Sequence, residues 1–198
     1  MTKQHAPLAL VVGWPISHSR SPIIHGHWLK SLGIAGAYER RPVEPGVFLA
    51  FAASIGTGDL VGANVTIPHK VTAFACCDVT TDVAKALGAV NTLWRGAGGL
   101  HGDNTDVEGF LANLDEGAPD WAPLDGRALV LGAGGAARAV VYGLLARGFT
   151  HVDVANRTRA NAQGLAEQFG PRVHALAGEP DAGPSAPPTS SSTPPRSA

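Results

Sequence analysis

Residues 127–138 read RALVLGAGGAAR, and this stretch decides the fold of the second part of the chain. A short apolar run leads into the pattern G-x-G-x-x-A, and a helical pattern begins directly after it. Gly132 allows the tight turn, Gly134 lets the backbone approach a pyrophosphate, and small Ala137 lets the helix lie close to the strand. The alternative is an ordinary glycine-rich turn, but the flanking strand and helix favour a dinucleotide site at a helix N-terminus.

The next predicted strand, residues 152–155, ends in the sequence Asn156-Arg157-Thr158-Arg159. An NAD-specific site usually presents an acidic side chain to the ribose hydroxyls at this point, and here two arginines take its place. A planar guanidinium can bind a ribose 2′-phosphate and stack on adenine, so the sequence favours NADP over NAD. A solvated basic loop is the alternative. The predicted cofactor-binding residues are Gly132, Gly134, Gly135, Ala136, Asn156, Arg157, Thr158 and Arg159.

Short apolar runs alternate with helical patterns and predict an α/β fold with two domains. Residues 1–114 are predicted to form an N-terminal α/β substrate-binding domain, 115–126 a linker, and 127–177 the first half of a Rossmann-like NADP-binding domain. Strands are predicted at 8–12, 37–43, 60–67, 90–95, 100–102, 128–131 and 152–155. Helices are predicted at 22–32, 47–55, 71–77, 82–87, 107–114, 136–147 and 160–169.

The C-terminal segment, residues 178–198, is rich in Pro and Ser and contains no Val, Ile, Leu, Met or aromatic residue. Such a segment has no apolar surface to bury, which predicts disorder. A natural flexible tail is one explanation. The other is a shifted reading frame, because the domain that starts at Arg127 stops before its sheet is complete, and we then expect Val130, Leu131, Val140, Leu144 and Val152 to be partly exposed.

The composition points to no polymer or membrane partner. The formal net charge is −1 and the sequence pI is about 6.7, so no broad field attracts nucleic acid or an anionic surface. The apolar run at 8–12 is too short for a signal sequence or a membrane span, which leads us to expect a cytoplasmic protein. Cys76 and Cys77 are sequence neighbours, which argues against a disulfide or a metal site and for buried small apolar side chains.

Residues 13–22, GWPISHSRSP, join the first predicted strand to a helix. Ser21 is predicted to be the N-cap, with Pro22 in the first helical position. Ser19 has no such structural role. Two hydroxyl groups two residues apart beside a helix N-terminus suit the binding of a carboxylate.

Residues 64–70, NVTIPHK, end the third predicted strand. Alternation places Asn64 and Thr66 on one face, and Pro68 then stops the strand so that Lys70 stands at its exit. A lone lysine is usually solvated, so Lys70 needs a partner before it indicates chemistry.

Two later motifs supply possible partners for Lys70. Asn91 lies in the sequence AVNT, and Asp106 ends the run GDNTD just before a helix. A carboxylate at that position could hold the ammonium group of Lys70. A plain helix N-cap is the alternative for Asp106.

The motifs GWPISHSRSP, NVTIPHK, AVNT, GDNTD, GAGGA and NRT occur in this order, and with them the chain resembles the shikimate dehydrogenase family from Val12 to about Val173. That family reduces 3-dehydroshikimate reversibly to shikimate with NADPH, in the biosynthesis of chorismate and aromatic amino acids. The resemblance implies that Ser19 and Ser21 bind the substrate carboxylate and that Lys70 and Asp106 are the catalytic pair. It also implies that ring hydroxyls are held by Asn64, Thr66, Asn91 and Asp106.

The implied chemistry suits these residue types. Hydride transfer to a carbonyl carbon leaves charge on the oxygen, and a lysine within hydrogen-bond reach can donate a proton to it. Asp106 would orient Lys70 and stabilise its charge, and such a pair titrates as a unit.

The chain also departs from the family pattern. A basic residue that the family has after N-R-T falls on Asn161, so Arg159 would replace it. The family continues beyond Val173 with further strands, a tyrosine and a glutamine that touch substrate, and a final helix. The lack of these later elements keeps open the alternative of a non-catalytic shikimate-binding fragment or pseudoenzyme. A quinate/shikimate dehydrogenase of the same family is the other alternative, although such an enzyme would tend toward NAD and have an altered serine pair. The expected partners are small molecules, with a monomer or a homodimer as the expected state.

Overall fold

A computed structural model describes residues 6–122 and 126–176 of the chain. Several strands, such as β1, β3 and β7, are rich in Val and Leu, whereas β2 and β6 are largely polar. The polar and glycine-rich segments between strands form the turns and helix starts. The elements of the first domain are β1 Leu8–Gly13, α1 Ser21–Ser31, β2 Ala37–Pro42, α2 Phe48–Ser54, β3 Leu60–Val65, α3 Lys70–Ala75, β4 Val79–Thr80, α4 Asp82–Leu87, β5 Thr92–Gly96, β6 Gly99–Asp103 and α5 Asp106–Gly117. Those of the second are β7 Arg127–Leu131, α6 Gly135–Ala146, β8 His151–Ala155, α7 Arg159–Phe169 and β9 Val173–Ala175.

The first domain is built on a mixed sheet with the strand order β2-β1-β3-β5-β6-β4. The strand β1 pairs in parallel with β2 and β3, whereas β5 runs antiparallel to both β3 and β6. One face of this sheet packs against α2, α3 and α4 through a core that includes Leu10, Val12, Phe48, Val65 and Leu93. The parallel strands end at one edge of the sheet, where the polar motifs follow.

The second domain is a three-stranded parallel sheet in the order β7-β8-β9. The helices α6 and α7 cover one face and form a separate core with it. The expected exposure is therefore wrong for Val130, Leu144 and Val152, which are buried, because these two helices are enough to cover that face. It is right for Leu131 on the opposite face, where 71% of the residue is exposed, and Val140 is half-buried.

The two domains pack together through parallel helices, α5 and α6. A Cβ added to Gly143 would lie 3.3 Å from Leu111, and Arg147 forms an ion pair with Asp115 one turn further on. Both pairs are separated by 32 residues, so the helices run side by side in the same direction. Consequently Asp106, at the start of α5, and the glycine turn, at the start of α6, lie at the same end of the molecule.

The structure agrees with the predicted α/β fold and with the order of its predicted elements, apart from local differences. The short strand β4 was not predicted, because two residues give no readable alternation. The helix α5 runs to Gly117 and so occupies the first part of the predicted linker. Residue 177 and the predicted disordered segment 178–198 lie outside the described residues, as do linker residues 123–125.

Candidate active site

The predicted pair of Lys70 and Asp106 is formed. Lys70 is the first residue of α3, and its Nζ donates a hydrogen bond to Oδ2 of Asp106 at 2.5 Å. Their side chains are 12% and 26% exposed, so the pair is largely shielded from water while remaining open to a ligand. A charge-assisted hydrogen bond in such a setting is stronger than one between neutral groups. The lysine that sequence alone would leave solvated therefore has a specific partner.

Asp106 is oriented by a hydrogen-bond network and does not cap its helix. Asn91 donates from Nδ2 to Oδ1 of Asp106 at 3.0 Å, which leaves Oδ2 for Lys70. The backbone N–H of Asp106 donates to Oδ1 of Asn104 at 2.9 Å. Thr105 occupies the N-cap position without a side-chain cap, so the capping alternative for Asp106 is wrong. The carboxylate is instead committed to Lys70 and Asn91.

Asn64 and Thr66 lie where β3 leaves the sheet. Oδ1 of Asn64 accepts a hydrogen bond from the hydroxyl of Tyr38 at 2.6 Å, and its Nδ2 donates to Oγ1 of Thr92 at 3.1 Å. Thr66 packs closely against β1, because a Cβ added to Gly13 would lie 2.7 Å from its Cγ2. Gly13 thus allows the two strand ends to approach, which brings the serine motif and the NVTIPHK motif together.

Ser19 and Ser21 form a hydroxyl pair at the start of α1. The hydroxyl of Ser19 donates to Oγ of Ser21 at 3.3 Å, and Arg40 donates to the carbonyl of Ser19 at 2.6 Å. The predicted N-cap role of Ser21 is wrong, because α1 begins at Ser21 itself and Arg20 occupies the cap position without a side-chain cap. Its hydroxyl therefore has no capping duty.

Tyr38 is a residue of this region that the sequence analysis missed. It lies on β2, opposite Ala9 of β1, and its ring stacks on His25 at a centroid distance of 4.0 Å. Burial raises the pKa of Tyr38 to about 12, and a hydrogen bond with the Ser21 side chain opposes this shift. The phenol is therefore protonated at neutral pH. The only sequence signal for Tyr38 was its place on β2, the first strand after the serine motif and helix α1.

The glycine turn has the geometry that its motif predicts. Gly132 has φ +103°, in the region that favours glycine, and a Cβ added to it or to Gly134 would meet nothing within 4 Å. The helix α6 that follows is 12 residues long and has no side-chain cap, so its first backbone N–H groups are available to an anion. Asn156 fixes the turn by accepting a hydrogen bond from the N–H of Ala133 at 3.2 Å. These features fit a dinucleotide pyrophosphate.

A cleft of about 510 Å³ connects the glycine turn with Lys70. A Cβ added to Gly135 would lie 3.5 Å from Cδ of Lys70. The glycine turn and the NVTIPHK motif are therefore in van der Waals contact. The cleft is lined by Ile67, Pro68, Lys70, Val71, Gly132, Gly134, Gly135 and Ala136, among others. Its walls come from both domains and are mostly apolar, as in pockets for small organic ligands.

Arg157, Thr158 and Arg159 follow β8 and are exposed. Thr158 occupies the N-cap position of α7, and its carbonyl accepts a hydrogen bond from Nδ2 of Asn156 at 2.8 Å. Within residues 6–122 and 126–176, neither arginine makes an ion pair. Their position after the second strand agrees with the prediction, whereas their role toward a 2′-phosphate stays a prediction.

Other predicted features have the following outcomes. Cys76 and Cys77 are free and half-buried rather than fully buried, and the Sγ atoms of both donate to the carbonyl of Ala73. Burial raises the pKa of the Cys77 thiol to about 12.

In the part of the chain that the structure describes, no group of three or more potential metal ligands is found. None of the helices described is long and apolar enough to span a membrane.

The fold and the cleft define a two-domain α/β protein in which a glycine turn of the dinucleotide-binding type and Lys70 line the same cleft. Residues 11–93 match the family described as shikimate dehydrogenase substrate binding domain, and residues 122–178 match the family described as shikimate / quinate 5-dehydrogenase. The chain belongs to the shikimate dehydrogenase family.

Individual relatives agree with this assignment. The chain is 58% identical over 167 residues to the shikimate dehydrogenase (NADP(+)) of Brucella abortus, with 84% of this chain and 57% of the relative covered. It is similar to the crystal structure of shikimate 5-dehydrogenase from Thermus thermophilus in complex with NADP(H) and shikimate, with 40% identity and a TM-score of 0.76. That match covers 86% of this chain and 63% of the other. The chain therefore spans about 57% of the length of the curated relative.

Proposed function

We propose that this chain carries the substrate domain and part of the cofactor domain of an NADP-dependent shikimate dehydrogenase, which reduces 3-dehydroshikimate reversibly to shikimate. The observation that carries the proposal is the 2.5 Å pair of Lys70 and Asp106, in which Lys70 lines the same cleft as the glycine turn. A proton donor beside a dinucleotide site is the arrangement that carbonyl reduction needs. The NADP-dependent relatives and the shikimate-bound neighbour support the same reaction.

The substrate is proposed to lie across the ends of β1 and β3. Ser19 and Ser21 place two hydroxyl groups at the start of α1, whose protons can rotate from each other and from Tyr38 toward the substrate carboxylate. The helix dipole also favours an anion there. The ring hydroxyls then point toward the side chains of Asn64, Thr66, Asn91 and Asp106, which supply amide, hydroxyl and carboxylate groups. This arrangement places the carbon to be reduced near Lys70.

The proton is proposed to pass through Lys70. When bound, NADPH would supply the hydride that the carbonyl carbon of the substrate receives. Lys70 donates a proton from Nζ to the carbonyl oxygen, and in the reverse direction it takes the proton back from the hydroxyl. Asp106 holds Nζ in position and stays negatively charged while Lys70 changes its charge.

The cofactor is proposed to bind along the start of α6. Gly132, Gly134, Gly135 and Ala136 supply an open backbone surface for the pyrophosphate. The exposed guanidinium groups of Arg157 and Arg159, with Asn156 and Thr158 between β8 and α7, would receive the 2′-phosphate.

The test is to incubate the purified chain with shikimate and NADP and to follow the formation of NADPH. We expect shikimate-dependent reduction of NADP that Lys70→Ala abolishes. No NADPH formation, with saturable shikimate binding retained, would favour the alternative of a non-catalytic shikimate-binding protein. A higher rate with quinate than with shikimate would favour a quinate/shikimate dehydrogenase, which the second family description also covers.

We also propose that turnover by this chain is impaired relative to a longer protein. One edge of β7 and the face that carries Leu129 and Leu131 have no neighbouring element among the described residues. Such a face lets the second domain shift, and a small misplacement of reacting groups lowers rates about a hundredfold. An extended version, in which the C-terminal part of the Brucella relative follows residue 176, should therefore be at least about a hundredfold more active. Equal activity of the two versions contradicts this. Cytoplasmic location and a monomeric or homodimeric state remain predictions.

A further inference from the structure

Because of its hydrogen bonds within the protein, the Asn64 side chain can accept a hydrogen bond from a ligand but cannot donate one. Its side-chain amide has two N–H donors and a carbonyl oxygen with two lone pairs. Nδ2 donates to Oγ1 of Thr92 at 3.1 Å and to the backbone carbonyl of Asn91 at 3.4 Å, so both donors are used. Oδ1 accepts one hydrogen bond, from Tyr38. What remains open is a single acceptor position on Oδ1.

The orientation of this amide is fixed by its neighbours. A backbone carbonyl can only accept, so Nδ2 rather than Oδ1 must face the carbonyl of Asn91. Thr92 donates its hydroxyl proton to Oδ1 of Asn91 at 2.8 Å, which leaves its oxygen as an acceptor for Asn64. A flipped amide would place two oxygens against each other. Tyr38 then contributes the donor that Oδ1 requires on the other side, at 2.6 Å.

Tyr38 is itself held in place, and it connects the two ends of the substrate site. Its ring stacks on His25 of α1 with an angle of 7° between the planes. Its hydroxyl interacts with the side chain of Ser21 as well as with Asn64. Because its one proton is donated to Asn64, the hydroxyl can only accept toward any other partner. The serine pair and Asn64 are therefore joined through a single phenol.

We propose that Tyr38 is a positioning residue that sets substrate specificity: its hydroxyl holds the Asn64 amide so that this end of the site presents only acceptors to a ligand. The site then favours molecules that offer hydroxyl donors here and disfavours a carbonyl oxygen, which Lys70 alone can serve. This inference rests on the proposed function, because it takes a polyhydroxylated cyclic acid as the ligand.

The test measures how two ligands bind to the 198-residue chain and to its variants. Ligand-observed NMR titration is used because it measures weak dissociation constants. Shikimate carries the ring hydroxyls, and cyclohex-1-ene-1-carboxylate carries the carboxylate without them. Tyr38→Phe keeps the ring that stacks on His25 and removes only the hydroxyl. We expect it to weaken shikimate binding about five- to tenfold, the worth of about one hydrogen bond, and to leave binding of the hydroxyl-free acid unchanged.

A double-mutant cycle shows whether Tyr38 acts through Asn64. In an Asn64→Ala background, adding Tyr38→Phe should change shikimate affinity by less than about twofold. Tyr142→Phe, on α6, is the control and should bind both ligands as the unaltered chain does. Thermal unfolding of each variant verifies that the first domain is folded, and a variant that fails this check is replaced by Asn64→Ala with the two-ligand comparison.

The outcomes separate this inference from the proposed function. If the unaltered chain binds shikimate no better than the hydroxyl-free acid, shikimate is not its ligand and the proposed function fails. If it prefers shikimate and Tyr38→Phe has the same preference, the role of Tyr38 is overturned while the proposed function stands. An equal loss of both ligands in Tyr38→Phe also overturns it, because a specificity residue must act on the hydroxyls.

Discussion

The proposed substrate side and the proposed cofactor side of the cleft differ in how their charged groups are held. On the substrate side, Lys70 pairs with Asp106. Asp106 is oriented by hydrogen bonds with Asn91 and Asn104. On the cofactor side, the glycine turn is fixed by Asn156, but Arg157 and Arg159 are exposed. Neither arginine has an ion-pair partner within the described residues.

This difference indicates two ways of preparing a site. A group whose partners are already in place loses little conformational entropy when the ligand arrives, and its geometry is accurate enough for chemistry. A long exposed side chain must be ordered by the ligand itself, which costs about 0.5–1.5 kcal/mol for each side chain. The first arrangement suits proton transfer, and the second suits recognition of a phosphate, because the charge of the ligand can offset the ordering cost.

The largest effect is expected from Lys70→Ala in the extended version of the protein described above. Loss of a positioned acid or base lowers rates by about 10² to 10⁴. We expect kcat to fall by this amount while KM for shikimate changes little, because the substrate is bound by other residues. Steady-state kinetics with shikimate and NADP measures both values.

Lys85→Ala is the matched control for Lys70. Lys85 is an exposed lysine on α4 whose 3.3 Å pair with Asp82 lies in the same helix. Its removal should leave kcat unchanged, since surface ion pairs contribute about 0–1 kcal/mol. A kcat for Lys70→Ala within threefold of the unaltered enzyme, a threshold of about 0.7 kcal/mol, would remove Lys70 from the mechanism.

A smaller, cofactor-specific effect is expected from Arg157→Ala. A hydrogen bond to a charged group contributes about 1.5–3 kcal/mol, so the dissociation constant for NADP should rise about 10- to 100-fold. Binding of NAD, which lacks the 2′-phosphate, should change far less. Fluorescence titration with each cofactor measures the difference.

The control for Arg157 is Arg127→Ala, which removes an exposed arginine of the same domain that lies 3.9 Å from Asp153. It should leave the preference for NADP intact. If Arg157→Ala weakens NADP and NAD equally, Arg157 has only a structural role and the contrast between the two sides of the cleft loses its basis.

Much of the site could be predicted because its motifs follow strands. The paired residues Lys70 and Asp106 are 36 positions apart, but Lys70 follows β3 and Asp106 follows β6. Because β5 is antiparallel to both of these strands, their C-terminal ends lie at the same edge of the sheet. The glycine turn was equally clear, because Gly132 needs a positive φ that few other residues adopt. In both cases the local sequence carries the physical requirement.

Other features could not be predicted because they depend on tertiary contacts. The Tyr38 hydroxyl reaches Asn64 only because β2 and β3 both pair with β1, which no local pattern encodes. Ser21 has the sequence of an N-cap, but the helix begins at Ser21 itself. Burial of Val130 and Val152 was missed because two helices are enough to cover one face of a sheet of only three strands.

Arg138 and Gln168 of the second domain form hydrogen bonds with the end of α4 in the first domain. We call these two residues the interdomain brace. Arg138 of α6 donates to the carbonyl of Leu87 at 3.0 Å, and Gln168 of α7 donates to the carbonyl of Ala86 at 2.7 Å. Arg138 also donates to Oε1 of Gln168, and burial lowers the pKa of its guanidinium. The chain that follows these carbonyls leads directly to Asn91, which orients Asp106. The interdomain brace therefore connects α6, which begins beside the glycine turn, to the segment that leads to Asn91 and the pair of Lys70 and Asp106.

The smallest effect is expected from Arg138→Met, which keeps an aliphatic stem and removes the donors. Each lost hydrogen bond is worth about 0.5–1.5 kcal/mol, so we expect kcat of the extended version to fall about 3- to 10-fold with KM values nearly unchanged. Arg172→Met is the matched variant, because Arg172 also donates to carbonyls near a helix end, those of Leu145 and Phe149, but within one domain. It should lower the melting temperature without changing kcat. If both variants lower kcat equally, the effect comes from general loss of stability, and the two sides of the cleft are aligned by the α5 and α6 contact alone.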